Sequence, residues 1–306
     1  MTAFFKVSGS GNDFVALAEP AVDPEPEHIR AWCRRGISLG ADGVFVLRRP
    51  EDAIHDGGPA AVPRRGGDGS LAGGGGLAGD GAESRAEAAG VAEVAMAYFN
   101  ADGHPADLCL NGTRCAAQLA FHLGWAGSEL LVRTAAGPFR ARRLDPSRVV
   151  LELGLEVQEP RELAADLDGT PHPGWSVTVG VPHFLLPWPG DLDEAPVVEL
   201  GRPLRHHAAF QPGGTNVSFV RFVDSRHFAI RTCERGVEDE TLSCGTAVVA
   251  AAALGLALGR LAGPATATTR GGFDLVIDRD PASGRFTLAG DARIVAAGEL
   301  LPGAEA

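Results

Sequence analysis

The apolar positions of this chain fall into many short runs and two long ones. The short runs are rich in β-branched and aromatic residues, which predicts strands. Residues 4–17 read as two strands broken by the turn Ser8-Gly9-Ser10-Gly11-Asn12-Asp13. Further strands are predicted at 43–47, 93–99, 130–134, 148–153, 175–179, 216–222 and 228–232, the second of these ending on the turn signal Asn100-Ala101-Asp102-Gly103. Three more, at 273–277, 285–288 and 293–295, lie near the end, and a short helix is predicted at 27–35. The two long runs are helical. Residues 111–123 carry Arg114 as their single formal charge, and residues 246–258 carry none. A helix that is apolar on nearly all sides must be enclosed by protein. Strands precede and follow each one, so the pattern predicts an α/β chain of two units, each wrapping strands around a central helix.

The two halves also resemble each other. Gly9-Ser10-Gly11-Asn12-Asp13-Phe14-Val15 in the first matches Gly213-Gly214-Thr215-Asn216-Val217-Ser218-Phe219-Val220 in the second. Later in each half a cysteine immediately precedes the apolar helix, as Cys109-Leu110-Asn111-Gly112-Thr113 and as Cys244-Gly245-Thr246-Ala247. Two matching pairs in the same order argue for internal duplication.

Composition narrows the classes. A chain of 306 residues is long for one hydrophobic core and comfortable for two domains. The formal net charge of −12 disfavours a nucleic-acid backbone or an anionic membrane face as partner. The N-terminus lacks the basic start and apolar run of a secretory signal. The longest uncharged apolar run, residues 244–259, is shorter than the roughly 20 residues of a spanning helix. A cytoplasmic location is expected. One stretch, about residues 50–90, is too rich in glycine to bury apolar surface and reads as a flexible surface insertion. Its glycines lack the Gly-Lys-Ser/Thr element of a phosphate loop.

Five cysteines, Cys33, Cys109, Cys115, Cys233 and Cys244, form an odd set with neither metal spacing nor a disulfide framework. No metal site is expected. Cys33, Cys115 and Cys233 read as small buried hydrophobes. Cys109 and Cys244 each stand at a helix start, beside unpaired N–H groups and the positive end of the helix dipole. That setting is expected to lower a thiol pKa toward neutrality and also to anchor a carboxylate. Facing two such units puts one sulfur on each side of a bound α-carbon. One thiolate then removes the α-proton while the opposite thiol delivers another. Few lysines are present and no pyridoxal-binding pattern is evident, so no cofactor is expected.

These residues resemble the diaminopimelate epimerase family. The likeness runs through Ser8-Gly9-Ser10-Gly11-Asn12-Asp13-Phe14, Gly40-Ala41-Asp42-Gly43, Phe99-Asn100-Ala101-Asp102-Gly103 and Cys109-Leu110-Asn111-Gly112-Thr113-Arg114-Cys115. It continues through Gly180-Val181-Pro182-His183, Thr215-Asn216-Val217, Glu234-Arg235-Gly236 and Glu240-Thr241-Leu242-Ser243-Cys244-Gly245-Thr246. The resemblance implies two pseudo-symmetric domains, each a β-barrel around a central helix, with the site in the cleft between them. We expect the first over residues 1–153, joined by a returning segment 293–306, and the second over 154–292.

The resemblance also implies interconversion of LL- and meso-diaminopimelate without a cofactor, in lysine and cell-wall biosynthesis. Cys109 and Cys244 match the acid/base cysteines, and His183 and Glu234 match the residues that tune them. Asn12, Asn100, Leu110, Asn111, Asn216, Glu234, Arg235, Gly245 and Thr246 match substrate-contacting positions. A buried Glu234 suits an ammonium, and the planar fork of Arg235 suits a carboxylate. Three residues depart from the pattern. Leu110 replaces a glycine, Val181 an asparagine, and Gly43 the glutamine of some members. The expected partner is a small amino acid, with no nucleic acid or membrane, and a homodimer is compatible with the chain. A two-thiol racemase of another amino acid, a binding relative, and an isomerase with a carboxylate base stay open as alternatives.

Overall fold

The computed structural model describes residues 2–50 and 91–305, so the glycine-rich stretch lies outside the described residues. The first half runs β1 (Thr2–Gly9), β2 (Asn12–Ala18), α1 (Pro26–Cys33), β3 (Gly43–Arg48), β4 (Ala92–Asn100) and α2 (Leu110–His122). It continues with β5 (Glu129–Thr134), β6 (Gly137–Asp145) and β7 (Arg148–Glu152). Then come β8 (Arg161–Leu167), β9 (Thr170–Val179), β10 (Val181–Pro187), α3 (Val197–Arg205), β11 (Asn216–Phe222) and β12 (His227–Glu234). The chain closes through β13 (Asp239–Thr241), α4 (Gly245–Ala257), β14 (Ala265–Thr269), β15 (Asp274–Arg279), β16 (Phe286–Asp291) and β17 (Arg293–Leu300).

The strand pairings form one continuous ribbon with an internal repeat. From β1 to β4 successive strands pair antiparallel, parallel and antiparallel. Then β4 pairs parallel with β5, and β5–β6 and β6–β7 are antiparallel. The second half follows the same order: β9–β10 antiparallel, β10–β11 parallel, β11–β12 antiparallel, β12–β14 parallel, then β14–β15 and β15–β16 antiparallel. The halves join where β7 pairs with β16, and the last strand, β17, returns to lie against β1.

This repeat corrects the internal alignment read from the sequence. Asn12 opens β2 and Asn216 opens β11, yet the repeat makes β11 the counterpart of β3 and β10 that of β2. Both segments start a strand after a glycine turn, and that shared local chemistry produced the match. The cysteine–helix pair is equivalent in both halves, because α2 separates β4 from β5 just as α4 separates β12 from β14.

Both apolar helices are enclosed. Every residue of α2 except His122 is buried, and so is α4 from Gly245 to Gly255. Strands β1 to β7 all touch α2, and strands β9 to β12 with β15 and β16 touch α4. A single apolar core holds Leu110, Leu119 and Phe139 from the first half with Val248, Leu254 and Leu288 from the second. Among the described residues no helix is long and apolar enough to cross a membrane.

The turn between β1 and β2 has two residues, Ser10 and Gly11, both with positive φ (50° and 90°). Such a turn matches the twist of paired strands and usually takes Asn or Gly. Ser10 is fully buried there, with its N–H and hydroxyl both donating to Asp291 Oδ1 at 2.8 Å.

Enclosure of α2 makes a stability prediction. Leu119→Ala removes a fully buried side chain and should cost about 2–5 kcal/mol, read as a lower urea midpoint with an unchanged slope. Val295→Ala on β17, 63% exposed, should stay within about 0.5 kcal/mol. Equal effects from the two would contradict the enclosed-helix architecture.

Candidate active site

Each predicted proton carrier sits where the sequence expected it, as the residue capping a buried helix. Cys109 precedes α2 with extended backbone (φ −144°, ψ 100°), and its sulfur accepts the Gly112 N–H at 3.4 Å. Cys244 precedes α4 with similar backbone (φ −126°, ψ 109°), and its sulfur lies 3.4 Å from the Thr246 hydroxyl. All five cysteines are free thiols.

The two helix starts meet. A β-carbon placed on Gly245 would lie 3.0 Å from Leu110 Cβ, so glycine at the head of α4 makes room for leucine at the head of α2. The Asn111 amide reaches the Ser243 carbonyl across the same junction at 3.4 Å. A β-carbon on Gly11 would come 2.8 Å from both Leu242 and Phe273, so the β1–β2 turn also rests on the second half.

Around this junction opens a cleft of about 1080 Å³, lined by both cysteines. Asn12, Asn100, Leu110, Asn111, Asn216, Glu234, Arg235, Gly245 and Thr246 line it too. His183 does not. It is fully buried on β10, opposite Asn216, and neither ring nitrogen has a partner. Burial, with the nearby Arg235 charge, pushes its pKa down to about 3, so it is a neutral imidazole behind the cleft wall.

Electrostatics overturn one expectation. The helix-start argument drew both thiols toward neutrality, whereas both are shifted the other way. Burial is the largest cause for Cys109, pushing it up to about 11, and the Glu234 carboxylate adds to the rise. The N–H groups of Gly112 and Asn111 and the Arg114 charge oppose it without prevailing. Cys244 rises further, through burial and then Glu234, with Thr246 and the Ala247 N–H opposing. Glu234 is itself raised by burial, although the Thr241 hydroxyl donates to it at 2.8 Å and the Cys244 thiol also donates to it. Helix-start donors lower a pKa in a solvated setting; here the loss of water outweighs them.

The asparagines are held by a buried polar chain. Asp291 accepts from Ser10, and the Arg114 guanidinium donates to Ser10 Oγ at 2.8 Å and to Asn111 Oδ1 at 2.7 Å. Asn111 Nδ2 donates to Asn12 Oδ1 at 2.6 Å, and Asn12 Nδ2 donates to Asp42 at 3.1 Å. Arg114 has only donors, so it dictates which end of each amide faces the next. In the other half Asn216 Oδ1 accepts the Arg235 N–H at 2.8 Å and Asn216 Nδ2 donates to the Pro182 carbonyl at 3.2 Å. The Arg235 side chain lines the cleft and has no acidic partner among the described residues. Lys6, the one lysine of the chain, is paired with Asp13 at 2.6 Å.

Sequence reasoning passed over Asp42, Tyr98 and Ser243, which also line the cleft, and gave Arg114 no role. For Arg114 the signal was present: it is the lone charge in an otherwise apolar helix. For Tyr98 it was composition, since this is the only tyrosine of the chain.

Comparisons with known proteins identify the family and the fold. The family described as Diaminopimelate epimerase matches residues 175–294. A diaminopimelate epimerase of Aquifex aeolicus (strain VF5) is 32% identical over 287 residues, covering 90% of this chain and 89% of that protein. One from Methanothrix thermoacetophila is 34% identical, covering 88% and 86%. Among solved structures, a hydroxyproline epimerase from Agrobacterium vitis with bound trans-4-hydroxy-L-proline superposes with a TM-score of 0.66 at 14% identity. That match covers 97% of this chain and 91% of the other, and at such identity it speaks for the fold alone. With a third of residues shared along nearly its whole length, this chain belongs to the diaminopimelate epimerase family of isomerases.

Proposed function

We propose that this protein interconverts LL- and meso-diaminopimelate by moving the α-proton between Cys109 and Cys244, with no cofactor. The meeting of two cysteine-capped helix starts in one cleft carries this reading. A thiolate on one side takes the α-proton, and the C–H electron pair passes into the carbanion beside the carboxylate. The opposite thiol gives its proton to the other face and is left as the thiolate. The pair ends with roles exchanged. Unpaired N–H groups at both helix starts suit the α-carboxylate as negative charge develops.

The raised pKa values support the same assignment. Cys109, Cys244 and Glu234 form an acidic cluster, half-buried to buried, in which each group resists ionising. A substrate ammonium supplies the missing positive charge, so binding itself favours the thiolate. For the distal end of the substrate, the uncommitted Arg235 guanidinium supports a second carboxylate. Leu110 is compatible with this substrate. Its side chain is 2% exposed and packs against Gly245. Val181 lines the cleft as an apolar residue and favours the second reading, a substrate with one polar head. The units at 1–153 with 293–306, and at 154–292, are part of the proposal and draw support from the strand repeat.

Solvent-deuterium incorporation into a panel of amino acids tests the substrate. Exchange is expected at the α-carbon of diaminopimelate and not in alanine, proline or hydroxyproline; label confined to one of the latter would shift the assignment to the second reading. Cys109→Ala and Cys244→Ala should each lower kcat by about 10²–10⁴-fold or more. Arg235→Met should raise KM for diaminopimelate roughly tenfold or more, through loss of a charged hydrogen-bonded pair.

The pH profile has a definite sign. A base whose pKa is raised in the empty cleft is mostly protonated at pH 7, so kcat/KM should climb with pH through and beyond the ordinary thiol value of roughly 8.5. A plateau already reached at pH 6 would contradict a buried, high-pKa thiol as the base.

A further inference from the structure

Tyr98 lines the cleft and has no part in the two-thiol transfer described above. Tyr98 lies on β4, two residues before Asn100, so the alternation of a strand turns both to the same face. On the neighbouring strand Gly43 pairs directly with Asn100, which makes Tyr98 its diagonal neighbour. A glycine there leaves the diagonal space open, and the ring fills it. A β-carbon on Gly43 would fall 2.5 Å from the Phe99 carbonyl oxygen, 2.8 Å from the ring edge and 2.9 Å from the phenol oxygen. The other side of the ring is fixed by an edge-on contact with Phe14, at 5.9 Å between centroids. The phenol is therefore positioned by packing, and both it and Cys109 line the cleft.

We propose that Tyr98 belongs to the proton-transfer site, its phenol donating a hydrogen bond to the Cys109 sulfur and so making Cys109 the thiol of the pair that ionises first. The inference rests on the two-thiol reading and gives the pair an asymmetry. Cys244 sits beside a carboxylate, Glu234, which accepts its S–H and keeps it a thiol. Cys109 instead accepts the Gly112 N–H at 3.4 Å, with no carboxylate among the described residues accepting its proton, and the phenol lines the same cleft. The charged and titratable groups acting on Cys109 and Tyr98 are Glu234 from β12, Arg114 and Cys115 from α2, and Asp42 before β3. Only Arg114 among them is a cation. Its Nη2 donates to Ser10 and Asn111, away from the sulfur, so an uncharged donor in the cleft has leverage. Tyr98 itself is shifted well above its ordinary value, by burial first and by the neighbouring Cys109, Glu234 and Asp42, which keeps it a proton donor.

Because Tyr98 is the only tyrosine, tyrosinate absorbance reports on it alone. In the full-length protein its titration should lie above the free value of roughly 10 and move down toward it in Cys109→Ala. Tyr98→Phe keeps the ring and its packing while removing the donor. The pH midpoint for iodoacetamide alkylation of Cys109, followed by peptide mass spectrometry, should rise by about one unit. The midpoint for Cys244 should stay in place, and kcat at neutral pH should fall roughly tenfold with little change in KM. An unchanged Cys109 profile in Tyr98→Phe, or a tyrosinate titration indifferent to Cys109→Ala, would overturn the proposal. Activity surviving in Cys109→Ala would instead defeat the two-thiol reading, and the tyrosinate titration would still decide whether Tyr98 and Cys109 interact.

Discussion

The contact on which this structure depends is the meeting of two helix starts, where Leu110 packs into the space left by Gly245. Neither helix has a polar face to show to water, so each must be wrapped by strands. Their N-terminal ends, with unpaired N–H groups, then have nowhere to go except a shared cleft. The leucine–glycine match lets the backbones approach closely there. Two equal side chains would either clash or leave a gap. The departure from the family pattern at Leu110 is thus largely absorbed by packing between halves, at the floor of the cleft.

A second constraint is electrostatic. The junction gathers Cys109, Cys244 and Glu234, three acids, where burial disfavours the charged form of each. The empty site resists charge, and a zwitterionic amino acid is the kind of molecule that relieves it: its ammonium balances the acids, and its carboxylate meets the helix donors. On the two-thiol proposal, the base is therefore weakly populated until a substrate ammonium is present.

Order in the site comes from a hydrogen-bond chain that crosses the molecule. Asp291, on β16 of the second half, holds the Ser10 turn; Ser10 and Arg114 set Asn111; Asn111 sets Asn12; Asn12 ends on Asp42. Buried polar groups are costly unless paired, and here the pairing also ties the halves together at the cleft. Arg114 is the hub because it lies fully buried one helical turn beyond Asn111.

Much of this was legible from residue order. Two charge-poor helices behind two cysteines determined that the chain would enclose a pair of helices and that thiols would cap them, because apolar runs cannot face water. The family motifs contain every cleft residue discussed except Tyr98, though they gave Asp42 and Ser243 no role, and they included His183, which the fold seats behind the wall. Strands such as β6 and β10 were not legible. β6 alternates arginines with small residues and is a strand because β5 and β7 flank it; α3 hides behind an internal Pro203. Only the tertiary structure decided three further matters. It assigned β11 as the counterpart of β3, since strand pairing depends on partners distant in sequence. It seated the one tyrosine over Gly43. And it turned the thiol pKa values upward, because a helix start is written in local sequence while the exclusion of water is a property of the whole fold.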